Sequence, residues 1–400
     1  MKIFKLMAIA LVAMLGFSAC EKDCDHDFIE VDHSKDLVGT WTCHEAGYAE
    51  ALVIKADGTA VSYGVENGEY WENVRGTVSV KENNITMIFE DDDNFTGHFD
   101  IIPGQAFSLF EDSGERYTYQ YCKEDLSEKI IGMWVATTGP YMSVEVFNED
   151  GSAIYTGFVP ESEEMTVTSV TSYKVVGDLQ FHSVAEEGPT KYVAHRLIYS
   201  PSSQTQLGET MTWQVDENIS FSRLRIKQHL ELANNNYDYN NIYVTNVKAK
   251  DAEFEFAGQT LNLANMDGRI LDKMMKTLLF NVSFPSADKI VYNYHYNGEN
   301  VPMPSPIVVD GNKMTIKKSV NNPACKDIDV WTFQDQDNTQ MHMYMPVKSF
   351  ENFLANTAVE MMANEGKLDL NDAAAVKAIF DQVEAAIETI NVSFIFKAAK

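Results

Sequence analysis

Three methionines at alternate positions, Met341, Met343 and Met345, form the densest group of potential metal ligands in the sequence. Alternate residues of a strand lie on one face, so the three thioethers would point together, and thioethers are ligands that Cu(I) prefers. The same arrangement also suits a flexible apolar core. Because this half of the chain has further methionines at positions 274, 275, 361 and 362, we favour the core and predict no metal site and no cofactor.

Two acidic segments, Asp91–Asn94 and Asp335–Asn338, carry the oxygen ligands that Ca²⁺ prefers. Neither has the ligand spacing of an EF-hand loop, so we interpret both as solvated hairpin turns. The sequence also lacks the Gly-x-Ser-x-Gly, His-Glu-x-x-His and glycine-rich phosphate-binding patterns. We therefore predict no catalytic residues and a protein that is not an enzyme. A glycan hydrolase stays as the least favoured alternative, because carboxylates are plentiful but nothing selects a pair of them.

The N-terminal segment predicts where the protein is located. Lys2 and Lys5 precede an apolar run over residues 6–17, and small residues then lead to Cys20. This is the pattern of a secretory signal peptide, here residues 1–19, which is too short to remain as a membrane span. Small residues before a cysteine resemble the lipobox of bacterial lipoproteins. The resemblance implies cleavage before Cys20 and lipidation of its thiol.

Residues 20–34 begin with an acidic run and have no apolar periodicity, so we expect a flexible tether. An acidic run close behind a lipidated cysteine resembles the export signal of Bacteroidetes surface lipoproteins. The resemblance implies a protein anchored by lipid in the outer membrane and exposed at the cell surface, with a periplasm-facing anchor as the open alternative. The formal net charge of −28 repels anionic headgroups and phosphate backbones. We therefore expect membrane contact through the anchor only, and no nucleic-acid partner.

An internal repeat organises the region after the tether. Two short motifs recur at the same spacing: Gly39-x-Trp41 as Gly132-x-Trp134, and Asp57-Gly58 as Asp150-Gly151. Within each copy, short runs of strand-forming residues are separated by turn residues. About eight consecutive strands with short turns predict an antiparallel up-and-down barrel, since closing the sheet removes its exposed edges.

The repeated Gly-x-Trp resembles the opening of lipocalins, and its combination with Asp-Gly is similar to the short lipocalin-like (calycin-like) domains of Bacteroidetes lipoproteins. The resemblance implies one barrel over residues 35–125 and a second over residues 126–232. It also implies the barrel-closing residues Gly39, Trp41, Gly132 and Trp134. Lipocalins pack an arginine on this tryptophan, and the candidates here are Arg116 in the first copy and Arg223 or Arg225 in the second.

Beyond the repeat the pattern changes. Residues 233–241 are rich in asparagine and are predicted to be a linker. Residues 242–400 alternate strands with helices, which we predict over Asp267–Phe280, Ser349–Asn364 and Asn371–Thr389, the last one capped by Asn371. The predicted fold class is mainly β: tandem antiparallel eight-stranded up-and-down barrels, followed by a C-terminal barrel-like domain with added helices.

Cys43 and Cys122 fall in the first and last strands of the first barrel, which are antiparallel neighbours in this topology. An exported location permits oxidation, so we predict a disulfide between them. The second copy has Ala136 at the position of Cys43, so the bond would be an addition to the fold.

These features predict a non-enzymatic lipoprotein of the cell envelope. Its ligand would be a small apolar molecule, a carbohydrate or a surface protein. Eight-stranded barrels either hold one small ligand or are filled by their own side chains. A structural or interaction protein with filled barrels is therefore the second interpretation.

Overall fold

The computed structural model describes residues 33–399, except 92–93, 111–113, 137–142, 160–163, 185–188, 203–207, 250–252, 257–258, 263–267, 297 and 319. The described strands form three closed antiparallel barrels of eight strands each. Two all-β barrels are followed by a third that carries helices, and the predicted fold class is confirmed. None of the described helices is both long enough and apolar enough to cross a membrane.

Barrels 1 and 2 are built from strands that pair in chain order. The strands of barrel 1 are β1 (Gly39–Glu45), β2 (Tyr48–Ile54), β3 (Thr59–Glu66), β4 (Glu69–Lys81), β5 (Asn84–Phe89), β6 (Phe95–Ile102), β7 (Ala106–Phe110) and β8 (Arg116–Tyr121). The strands of barrel 2 are β9 (Gly132–Ala136), β10 (Ser143–Phe147), β11 (Ser152–Val159), β12 (Glu164–Val176), β13 (Leu179–Val184), β14 (Lys191–Ser200), β15 (Thr210–Gln214) and β16 (Ser220–Ile226). Pairing of β8 with β1 closes barrel 1, and pairing of β16 with β9 closes barrel 2.

The tryptophans of the two Gly-x-Trp motifs are held in the same way in barrels 1 and 2. The indole Nε1 of Trp41 donates to the Leu37 carbonyl at 2.7 Å, and that of Trp134 donates to the Ile130 carbonyl at 2.7 Å. Both tryptophans are fully buried. Each indole therefore donates to a backbone carbonyl just before the first strand of its barrel, while its rings pack in the core of that barrel.

The last strand of each barrel packs a different residue against this tryptophan. In barrel 2 the guanidinium of Arg225 lies over Trp134, 5.6 Å from the ring centroid. In barrel 1 the equivalent residue is Tyr121, whose ring meets Trp41 edge-on with 5.0 Å between centroids. Of the three candidate arginines, Arg225 alone packs on a Gly-x-Trp tryptophan, since Arg116 lies over Phe110 and Arg223 over Phe221 and Trp213.

Barrel 3 begins inside the segment that the sequence predicts to be a linker. Its strands are β17 (Asn235–Ala249), β20 (Leu279–Ser286), β21 (Lys289–Tyr296), β22 (Glu299–Asp310), β23 (Lys313–Ile316), β24 (Ile328–Gln334), β25 (Gln340–Met345) and β26 (Ile387–Ala398). A separate hairpin pairs β18 (Glu253–Phe256) with β19 (Gln259–Asn262). The linker prediction is wrong for residues 235–241, because they pair with β20 and β26. Tyr237, which is fully buried, provides an apolar anchor among the asparagines.

Three described helices decorate barrel 3: α1 (Gly268–Leu278), α2 (Val347–Asn364) and α3 (Ala373–Ala386). The cap of α3 is Asp372 rather than the predicted Asn371, and its carboxylate accepts hydrogen bonds from the first backbone amides. Helix α2 packs Phe353 against Phe394 and Tyr292, so it belongs to the core of barrel 3.

Outward side chains of barrel 2 contact both other barrels. On one side Leu179 and Phe181 pack against Ala49 and Ala51 of barrel 1. On the other side Val135, Val144, Leu224 and Ile226 pack against Phe333 and Tyr344 of barrel 3. Barrel 2 is therefore the central barrel of the chain.

The disulfide predicted between Cys43 and Cys122 is not formed, because both thiols are free. Cys43 points into the core of barrel 1, whereas the Cys122 backbone pairs with Thr40 and its side chain lies against Gly177 of barrel 2. The two residues lie on opposite faces of the barrel wall at different levels. The first and last strands of barrel 1 are neighbours, as the prediction assumes. The prediction does not consider that one cysteine faces the barrel core and the other faces barrel 2.

Candidate functional site

Barrels 1 and 2 share one strand register, so their inward positions can be compared one by one. Trp41 pairs with Leu52 and Tyr121, and Trp134 pairs with Glu145 and Arg225. Following the registers around each wall gives an equivalent for every inward position between these points. The comparison therefore shows where the two barrel interiors differ in chemistry.

Six inward positions of barrel 2 carry polar side chains where barrel 1 has mostly apolar residues or glycine. We call them the barrel 2 polar cluster: Glu145, Thr171, Gln180, His182, His195 and Arg223. Their equivalents in barrel 1, in the same order, are Leu52, Gly76, Ile85, Met87, Gly97 and Tyr119. The same framework thus holds an apolar arrangement in one barrel and a polar arrangement in the other.

Glu145 and Arg223 form an ion pair inside the barrel. Arg223 donates from Nε at 2.9 Å and from a terminal nitrogen at 2.7 Å to the same carboxylate oxygen. The side chains are 6% and 12% exposed, so the pair is largely removed from water. The guanidinium also lies over Phe221, 4.7 Å from its centroid. These contacts neutralise and fix both charges.

Gln180 is fully buried and only half satisfied. Its Oε1 accepts a 2.5 Å hydrogen bond from Nε1 of Trp213, which fixes the amide orientation. Within the described part of the chain, the amide nitrogen of Gln180 has no hydrogen-bond partner. A buried donor without a partner costs about 1–3 kcal/mol, so this atom is a site of unused hydrogen-bonding capacity.

His182 and His195 lie side by side on β13 and β14. Their ring centroids are 4.9 Å apart, and the planes are tilted by 52°. Burial lowers the pKa of His182 to about 4. Burial, together with the nearby His182, His44 and Arg223, lowers the pKa of His195 to about 3. Both imidazoles are therefore neutral at pH 7, and Nδ1 of each lacks a partner among the described residues.

Barrel 1 also contains interior polar groups, but they satisfy one another. The Glu50 carboxylate accepts from Tyr48 at 2.7 Å, from Ser62 at 2.5 Å and from the hydroxyl of Tyr119. Ser62 in turn accepts from the indole nitrogen of Trp71 at 2.8 Å. Burial, together with the Glu50 charge, raises the pKa of Tyr48, so its phenol keeps its proton and donates. These polar groups are hydrogen-bonded to one another, so they stabilise the interior of barrel 1 and are not free to bind a ligand.

Barrel 3 is filled by apolar side chains. Met341, Met343 and Met345 are all buried in its core, as the core interpretation expects, and α2 contributes Phe350 and Phe353 to the same core. Asp335 accepts from the Gln340 amide and the Thr339 hydroxyl, so its carboxylate stabilises a hairpin turn. Cys20 and part of the Asp91–Asn94 segment lie outside the described residues.

The barrel 2 polar cluster can donate and accept hydrogen bonds. It provides an amide donor, two neutral imidazoles, a hydroxyl and aromatic faces, while its one carboxylate is held by arginine. Glycoside hydrolysis uses two carboxyl groups on opposite sides of the scissile bond. In the part of the chain that the structure describes, no three or more histidine, cysteine or acidic side chains are grouped to hold a metal.

Sequence reasoning did not identify this cluster. The visible repeat is strongest between β1 and β3, whereas five of the six cluster residues lie on β12 to β16, where turn lengths differ between the copies. The signal that could have identified them is the exchange of apolar for polar residues at matched inward positions, but it needs the strand register.

The fold and this interior define the chain as a protein of three consecutive up-and-down barrels, one of which has a polar, aromatic-lined interior. No family model and no curated protein matches the chain. Among solved structures it is similar to a double mutant of the vaccine antigen Transferrin Binding Protein B from Haemophilus parasuis Hp5, with 11% identity and a TM-score of 0.25. It is also similar to isotype 1 of that protein from serogroup B Neisseria meningitidis, with 10% identity and a TM-score of 0.22. Each alignment covers 88% of this chain and 66% of the other.

Proposed function

We propose that this protein is a non-enzymatic, lipid-anchored lipoprotein of the cell envelope that binds a small neutral carbohydrate inside barrel 2. The observation that carries the proposal is the barrel 2 polar cluster. Barrel 1 has the same strand register, but its interior holds apolar side chains and polar side chains that hydrogen-bond to one another. The fold therefore does not require the polar groups of barrel 2. Their unmet hydrogen-bonding capacity is what a ligand would satisfy.

The cluster favours a ligand that is uncharged, rich in hydroxyl groups and apolar on one face. Glu145 and Arg223 cancel each other, and both imidazoles are neutral at pH 7. The Gln180 amide and the imidazole nitrogens match hydroxyl donors and acceptors. Phe221, which meets His195 edge-on at 5.7 Å and lies under the Arg223 guanidinium, adds an aromatic surface beside these polar groups. The acyl chain of a fatty acid, unlike a sugar ring, has no oxygen that could accept a hydrogen bond from the Gln180 amide.

The proposed location in the outer membrane is argued from the sequence of the N-terminal segment. We propose that Cys20 is acylated and that the acidic tether carries the barrels to the outer surface of the outer membrane. Placing the three barrels on a lipid anchor would retain a binding site at the cell envelope. A periplasm-facing anchor would leave the binding proposal unchanged.

A scaffold or interaction role for barrels 1 and 3 is the second proposal. The observation that favours it is their filled interiors, which leave the outer surfaces for contact. Barrel 1 exposes apolar side chains on its outer wall, Ile88 at 54% and Ile102 at 57%. In this arrangement barrel 2 binds the small ligand while its neighbours hold it or contact a protein.

Isothermal titration calorimetry with neutral mono- and disaccharides tests the binding proposal, and fatty acids and bile acids serve as the comparison ligands. Gln180→Ile should abolish sugar binding, because it removes the unsatisfied amide and introduces the residue found at the same register in barrel 1. The matched control is Ile85→Val in barrel 1, which should bind like the unaltered protein. Binding of fatty acids alone, or sugar binding that survives Gln180→Ile, would contradict the proposal.

A further inference from the structure

The spacing of His182 and His195 matches a shared metal ion. Two imidazoles that bind one tetrahedral ion through nitrogens about 2.0–2.1 Å from the metal have ring centres about 5 Å apart. The observed separation is 4.9 Å, and the rings are tilted rather than stacked. The two residues lie on adjacent paired strands, β13 and β14, so the barrel wall fixes their separation.

We propose that His182 and His195 form a two-imidazole site for a borderline divalent transition metal, with Zn²⁺ and Cu²⁺ as the ions of this class. Imidazole suits both ions, whereas Ca²⁺ and Mg²⁺ prefer oxygen ligands. The inference does not depend on the ligand of barrel 2 being a carbohydrate, because it concerns the two rings alone.

The other groups around the rings set the remaining coordination. Gln180 stands directly opposite His195 in the strand register, and its amide oxygen is already engaged by Trp213. The Glu145 carboxylate is held by Arg223. The protein therefore supplies two ligands, and the other positions of the ion belong to water or to an oxygen of a bound molecule. A metal ion can bind a ligand through the coordination positions that the protein leaves open.

The unused nitrogens support this assignment over simple ring packing. Nδ1 is buried and without a partner among the described residues on both histidines. At the matched positions of barrel 1, Met87 and Gly97 carry no polar side-chain atom, and Phe95 occupies the space beside Gly97. A net charge of −28 on the whole chain also favours the approach of a cation.

The test is equilibrium dialysis of the full chain against ZnCl₂ and CuCl₂, together with electron paramagnetic resonance of the Cu²⁺ form. We expect coupling to two imidazole nitrogens, and at least a tenfold weaker affinity for one equivalent of metal in His182→Met. This variant carries the residue that barrel 1 accommodates at the same position. His98→Met, at an exposed histidine of barrel 1, is the control and should keep that equivalent.

Two results would overturn the inference. The first is a folded His182→Met variant that binds as many equivalents of metal, equally tightly, as the unaltered protein. The second is a Cu²⁺ spectrum of the unaltered protein without coupling to two imidazole nitrogens, which needs no variant to fold. His195→Gln provides an independent loss of one ligand. Sugar titrations in EDTA keep this outcome separate from that of the carbohydrate proposal.

Discussion

Exchanging the Glu145–Arg223 pair for the residues of barrel 1 tests whether the barrel 2 polar cluster is dispensable for folding. The single changes are Glu145→Leu and Arg223→Tyr, and the double variant combines them. Leucine and tyrosine occupy these positions at Leu52 and Tyr119 in the same register. Each single variant leaves one buried charge without its partner, whereas the double variant removes both.

The structure sets the expected magnitudes. Removing one member of a buried ion pair costs about 3–5 kcal/mol, because the other charge stays desolvated. Since the side chains of Glu145 and Arg223 are 6% and 12% exposed, we expect the lower end of that range for each single variant, about 3 kcal/mol. The double variant should unfold within about 1 kcal/mol of the unaltered protein, because replacing a buried pair by well-packed residues is often neutral. The coupling free energy is then about 5 kcal/mol.

Urea unfolding followed by tryptophan fluorescence measures these free energies, since Trp134 and Trp213 report on barrel 2. The same proteins are then titrated with the sugar that binds the unaltered chain. We expect the double variant to be folded and unable to bind. Additive losses in the double variant, with no recovery, would refute the reasoning, because they would show that barrel 2 needs the pair for packing.

Three further predictions address other parts of the chain. Gly39→Ala should destabilise barrel 1 by about 1–3 kcal/mol, as measured by urea unfolding. Gly39 has φ of +145°, and a Cβ at this position would lie 2.6 Å from the Tyr121 ring. Acidification from pH 6.5 to 4 in EDTA should lower the stability of barrel 2, because the lowered pKa values of His182 and His195 mean that the unfolded chain binds more protons in this range. His182→Met should flatten that dependence, and a slope unchanged by the substitution would count against it. Cys20→Ser should abolish incorporation of radioactive palmitate, and continued labelling would argue against the lipobox.

Local sequence signals predict the framework well because a barrel of consecutive strands depends on local features. Turn residues mark the strand ends, and the Asp57 and Asp150 carboxylates each accept from the backbone two residues on, as expected for such turns. Pro302, Pro304 and Pro306 argue against a strand over the first part of β22. They are tolerated because they point outward, and only residues 307–310 of this strand pair with β23.

The interior of a barrel is harder to predict, because it depends on contacts between residues far apart in the chain. His182 and His195 are separated by a hairpin, and Glu145 and Arg223 meet only because β16 closes against β9. The predicted Cys43–Cys122 disulfide is not formed for the same reason. The strand order was predicted correctly, but the face of the barrel wall on which each cysteine lies was not. Nothing in the spacing of these residues reveals which of them share an interior.

The repeat itself gives the strongest argument that barrel 2 is specialised. The two barrels share one register, one buried Gly-x-Trp tryptophan and one Asp-Gly turn, but they differ at the six cluster positions. Burying Gln180 with an unmatched donor costs about 1–3 kcal/mol, and barrel 1 shows that the framework accepts isoleucine at the equivalent position without this cost. Stability alone would favour the apolar residues. The polar groups in barrel 2 therefore call for another cause, and a ligand that completes their hydrogen bonds or their metal coordination is a sufficient one.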